Sequence, residues 1–152
     1  MAFLLLGDRS LAEDLAQTVL VKVYLRWDHI NDKSSAAGYA HTVMTRQAIR
    51  WRRRHWTRER STDPILLPDS GAVADDDGVA RTETVRRALM SLPASQRAVL
   101  VLRYFGQHTE SEIAQMLRVS SGTVKSRAAR ALEALRATGL DIDIEPHEVR
   151  PT

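Results

Sequence analysis

Near the C-terminus, Lys125, Ser126, Ala129 and Arg130 recur at helical spacing opposite an apolar row of Val124, Ala128, Ala131, Leu132 and Leu135. At about 100° per residue, such a helix has one greasy face and one face that is small, polar and basic. Lysine and arginine donate to guanine edges or phosphates, serine reaches either, and a small alanine permits close approach or touches a thymine methyl. Ser121, Thr123 and Arg127 join that candidate DNA-reading set. A second constellation lies upstream, where Arg46, Arg50, Arg52, Arg53, Arg54, Arg58 and Arg60 are met by one acid, Glu59, and interleaved with Trp51 and Trp56. Arginines alternating with aromatic rings suit strand phosphates and unstacked bases. Arg46, Arg50, Arg53, Arg54 and Trp56 are the candidates there. Trp51 shares its helix's apolar stripe and is expected to pack first against a core.

Other chemistry finds no footing. The chain has no cysteine, which excludes disulfides and thiolate metal sites and fits a reducing interior. His29, His41, His55, His108 and His147 lack metal-ligand spacing and are expected at surfaces or helix flanks. Asp75, Asp76 and Asp77 sit where a loose chain makes a poor cation cage. Glu13 and Asp14 are sequence neighbours and would point apart on a helix. There is no glycine-rich phosphate loop and no nucleophile elbow. No enzyme, metal or cofactor is therefore expected. The apolar start, Ala2 to Leu6, is too short for a signal-peptide core, and no later run approaches a membrane span, so a cytoplasmic location is expected.

The elements that must position these residues are all helices. Ser10-Leu11-Ala12-Glu13 has capping-box spacing and opens a helix to about Trp27. A second starts near Ser34 or Ser35 and carries Ala36, Ala40, Val43, Met44 and Trp51 on one stripe. Val85, Ala88, Leu89 and Leu92 form a third, Pro93 opens a fourth, and Gly106 ends it. Thr109 and Glu112 make a second capping box before Ile113, Ala114 and Leu117, then Arg118-Val119-Ser120 turns, and Ser120 or Ser121 caps the helix holding Lys125. Short helix, tight turn and longer helix with an exposed basic face make a helix-turn-helix. Between Ser61 and Ala80 the charge inverts, with Asp63, Asp69, Asp75, Asp76 and Asp77 among prolines and glycines. That composition predicts a flexible linker spanning about 25 Å. The expected plan is all-α: a helical domain over 1–60, an acidic linker over 61–80, a helix-turn-helix domain over 81–138 and an acidic tail over 139–152.

Gly122-Thr123-Val124-Lys125-Ser126-Arg127, followed by Ala131-Leu132 and preceded by Leu92-Pro93-Ala94-Ser95-Gln96-Arg97, resembles region 4 of bacterial RNA polymerase sigma factors of the extracytoplasmic-function group. Gly7-Asp8-Arg9 with Ala12-Glu13-Asp14-Leu15 and Gln17 is similar to region 2 of that group, and Arg50 to Arg54 to its basic end. The SigE-like actinobacterial subgroup is the nearest in pattern. The resemblance implies a non-enzymatic subunit that binds core RNA polymerase and directs it to promoter DNA. It implies that Asp14, Leu15 and Gln17 face the polymerase, that the basic helix opens the -10 element, and that the helix with Lys125 reads the -35 element as duplex. It also admits an anti-sigma protein as partner. Two departures stand out. Region 2 of the family begins with a long helix, of which only Ala2 to Leu6 are present here, and Arg46 replaces the asparagine that the family places about five residues before its tryptophan. A stand-alone helix-turn-helix regulator and a protein-interaction module are the alternatives.

Overall fold

A computed structural model describes residues 1–30, 35–59 and 77–138, and every regular element among them is helical. Helix α1 (Ala2–Leu6) ends on Gly7, whose φ of 76° is left-handed. The left-handed backbone favours glycine there, and a Cβ would lie 2.4 Å from Met90 Sδ, so that flexible side chain would also have to move. The turn delivers Asp8 as the cap of α2 (Arg9–Leu25), its Oδ1 accepting from Leu11 N at 2.8 Å. The capping box expected at Ser10 and Glu13 does not form. Asp8 is an equally good acceptor and comes first in the chain, so Ser10 already lies inside the helix and Glu13 pairs with Arg9 at 3.3 Å instead. A short 3-10 turn, Trp27–His29, follows α2.

Helix α3 (Ala36–Glu59) turns Thr45 and Ala48 fully inward, with Ala40, Val43, Met44, Ile49 and Trp51 packed around them. Helix α4 (Asp77–Ser91) buries Ala88 and Leu89, and Leu92 after its end is buried too. Pro93 precedes α5 (Ala94–Leu100), which runs on as a wider π turn over Val101–Phe105. There Gly106 N donates to Val101 O at 3.0 Å. Helices α6 (Glu110–Leu117) and α7 (Ser121–Ala137) complete the chain's described part. Val99, Leu100, Val101 and Leu102 are all buried, because α5 is packed by α1, α3 and α7 and the π turn by α6.

The core is continuous across the two halves. α1 packs on α4 and α5, and α3 packs on α5 and α6. Arg97 on α5 lies at this seam, 1% exposed, donating to Leu5 O and Leu89 O at 2.7 Å, Leu92 O at 2.8 Å and Met90 O at 3.3 Å. Burial, with Arg52 adding repulsion, pushes its guanidinium down to about 10, still charged at neutral pH. Four carbonyls replace the carboxylate partner that a buried cation ordinarily needs. Arg86 on α4 likewise donates to Gly7 O at 2.9 Å.

Candidate nucleic-acid interface

Both capping devices of the helix-turn-helix are in place. Thr109 N and Oγ1 donate to Glu112 Oε2 at 2.7 and 2.8 Å, and Glu112 N donates back to Thr109 Oγ1 at 3.3 Å. These bonds hold the Glu112 carboxyl below its usual range. Arg118 takes a left-handed φ of 56° between the helices, and Ser120 accepts from Thr123 N at 3.2 Å to start α7. The turn chemistry thus fixes how α7 leaves α6.

Val124, Ala128, Ala131 and Leu135 of α7 are 3% exposed or less. Ser121, Lys125, Ser126, Ala129 and Arg130 are exposed, while Thr123 and Arg127 are half-buried at the flank. Glu110 lies beside this face, its carboxylate 3.7 Å from Lys125 Nζ and 3.3 Å from Arg103 Nη1. An ion pair so exposed holds its lysine weakly, leaving it able to exchange the carboxylate for a phosphate.

The basic helix is arranged differently from that open face. Arg50 is exposed, but Arg46 donates from Nε to Met116 O at 2.6 Å and from Nη2 to Gln115 O at 3.3 Å. It thereby caps two of the last carbonyls of α6. Burial and, after it, the nearby Arg118 lower its pKa. Trp51 is half-buried against the core, as its position in the stripe requires. The side chains of Arg53, Arg54 and Trp56 lie outside the described residues, as do the linker from 61 to 76 and the tail from 139.

On α2, Asp14 and Gln17 are exposed, but Leu15 is completely buried. Leu15 therefore anchors the helix to its own core and presents no surface to a partner. The exposed stripe instead continues from Asp14 and Gln17 through Val21, Tyr24 and Leu25, which are 57%, 79% and 71% exposed. Sequence reasoning missed these residues, although two apolar rows on one helix, Leu15 with Val19 and Val21 with Tyr24, were the available signal. It also missed the contact between His41 and His108, which comes from positions far apart in the chain. Among the described residues, no cluster of three or more His, Asp or Glu side chains could hold a metal, and no helix is long and apolar enough to cross a membrane.

Residues 1–58 match Sigma-70 region 2, and residues 82–135 match Sigma-70, region 4. The chain is 39% identical over 132 residues to the RNA polymerase sigma-E factor of Streptomyces avermitilis, covering 87% of this chain and 73% of that protein. Identity to the sigma-E factor of Streptomyces coelicolor is 37% over 132 residues, again covering 87% and 73%. The ECF RNA polymerase sigma factor SigX of Bacillus subtilis is 28% identical over 146 residues, covering 88% and 73%. Among solved structures, the sigma factor RpoE of Bartonella quintana, in complex with the anti-sigma factor NepR, has the same fold. Its TM-score is 0.68 over 92% of this chain and 88% of that one, at 23% identity. A region 2 ahead of the helix-turn-helix disfavours a stand-alone regulator. The chain belongs to the extracytoplasmic-function sigma factors, with sigma-E-like relatives, and is a promoter-recognition subunit of RNA polymerase.

Proposed function

We propose that this sigma subunit divides its work between α7, α3 and α2. The exposed face of α7 reads the -35 element as intact duplex, Lys125 and Arg130 reaching base edges or phosphates and Ser121, Thr123, Ser126 and Arg127 supporting them. The single observation that carries this reading is the segregation of α7. Its buried stripe seats the helix, its cap sets the entry angle, and the basic side chains are left outward. Arg46, Arg50, Arg53, Arg54 and Trp56 serve the -10 element, where strand phosphates and unstacked bases must be held. Arg46 joins them only once it leaves α6. Arg46 at the asparagine position of the family predicts altered -10 selectivity.

The stripe of Asp14, Gln17, Val21, Tyr24 and Leu25 docks on the polymerase's largest subunit, with Leu15 holding that helix in place from behind. The residues from 61 act as an acidic tether between a domain over 1–60 and the helix-turn-helix domain, with an acidic tail from 139. The last four residues of the expected 61–80 linker are instead the first turn of α4, which begins at Asp77. The subunit recognises DNA and performs no bond chemistry of its own, needs no cofactor, and works in the cytoplasm, where its polymerase is. An anti-sigma protein, like that bound to the Bartonella relative, is a fitting regulator for a chain with two such faces.

Alanine at Lys125 or Arg130 tests the -35 assignment. Loss of a base contact costs about 1–3 kcal/mol at one promoter position, whereas loss of a phosphate contact weakens all sites evenly and lowers the salt slope by about one. Unchanged promoter binding in both variants would remove α7 from the interface.

A further inference from the structure

The seam between α3 and the helix-turn-helix holds one polar contact whose strength must depend on pH. His41 on α3 places Nδ1 2.9 Å from Nε2 of His108, in the loop before α6. The rings meet edge to face, with centroids 5.2 Å apart. The two residues come from opposite halves of the chain, so the contact exists only while the halves are together. His108 Nδ1 lies 3.9 Å from Glu112 Oε2, which favours a proton on that nitrogen and leaves Nε2 as acceptor. His41 then donates from Nδ1. The charged groups acting on the pair are Glu112 from α6 and the Met1 amino group from α1, with Arg46 about one turn along α3 bound to α6 carbonyls. Burial lowers the pKa of both rings. His108 and the Met1 amino group lower that of His41 further, and Glu112 works against the shift at His108.

We propose that the His41–His108 pair is a pH-sensitive latch, holding α3 on the helix-turn-helix while it accepts and donates one hydrogen bond, and releasing α3, with Arg46, when both rings are protonated. The part concerning Arg46 rests on the reading of α3 as a DNA-binding helix. The first proton can sit on His41 Nε2 and leave the bond intact. The second occupies His108 Nε2, removes the acceptor and sets two cations face to face. Both rings bind protons more weakly in the closed arrangement, so closure is favoured most above the ordinary imidazole pKa and weakens as pH falls below it. At about pH 5.5, the one proton that the closed pair excludes from His108 Nε2 shifts the open-to-closed ratio about tenfold toward open.

The absence of native cysteine makes the test direct. Spin labels on S10C and A134C, both exposed and on opposite halves, report the separation in the full chain from about pH 8 to about pH 5.5, with circular dichroism confirming that the helices persist. The longer-distance population should grow about tenfold or more with acidification. In H41Q/H108Q, whose amides still hydrogen-bond but cannot charge, it should stay at its high-pH level. No growth in the parent chain, or equal growth in the double variant, would overturn the latch. Should the double variant not fold, H41Q and H108Q alone must each lose most of the response, and an undiminished response in both also overturns it. The readout involves no DNA, so it stands apart from any failure of the α3 assignment.

Discussion

Arg97 binds four carbonyls drawn from α1, from α4 and from the turn after it, so one side chain ties three parts of the backbone together. Replacing it with glutamine leaves several of those acceptors dry and should destabilise the protein by roughly 3 kcal/mol, read as a lower urea midpoint at unchanged m. A variant within about 0.5 kcal/mol of the parent would mean that water reaches the seam. Arg97 was visible in the sequence only as part of a region 4 motif. Its burial could not be inferred, because its partners are backbone carbonyls, which have no signature in residue type. The outward face of α7 was fully legible, since caps, periodicity and charge all act within one helix. Leu15 was placed at the wrong surface because the family resemblance marks a helix, whereas only packing decides which of its residues face out.

At the scale of elements, the π turn at Val101–Phe105 and its closing glycine set the path from α5 into the helix-turn-helix. A Cβ at Gly106 would lie 2.7 Å from Leu102 O and 2.8 Å from His108 Cδ2. Because one of those atoms is backbone, Gly106→Ala should cost about 1–3 kcal/mol, visible as a lower Tm, and should disturb the His108 loop. Helix α2 tests a different property of an element. Tyr24→Ala or Val21→Glu touches an exposed stripe, so stability should stay within about 0.5 kcal/mol of the parent while affinity for core polymerase falls at least several-fold. Equal polymerase affinity in both variants would place docking elsewhere. The sequence marked the helices from α2 to α7 but not α1 as a separate helix, and it misplaced the start of α2, since Asp8 and Ser10 are both competent caps and only the turn at Gly7 decides between them.

For the molecule as a whole, alternating blocks of basic and acidic residues pointed to a division over 61–80, the last four residues of which belong to α4. They could not show that the two halves close on each other, because α1 meets α4 and α5, and α3 meets α6, through residues far apart in sequence. In that arrangement the α7 face is outward while Arg46 is held. Promoter binding therefore combines ready contacts with contacts that need rearrangement. Run-off transcription by purified core RNA polymerase, with and without this protein, on a library of promoter fragments tests the central claim most directly. Transcripts should appear only with the protein and share two spaced upstream elements, and K125A/R130A should lose dependence on the distal one. A folded protein that binds DNA yet yields no dependent transcript, or transcripts indifferent to both elements, would contradict its role as a promoter-recognition subunit.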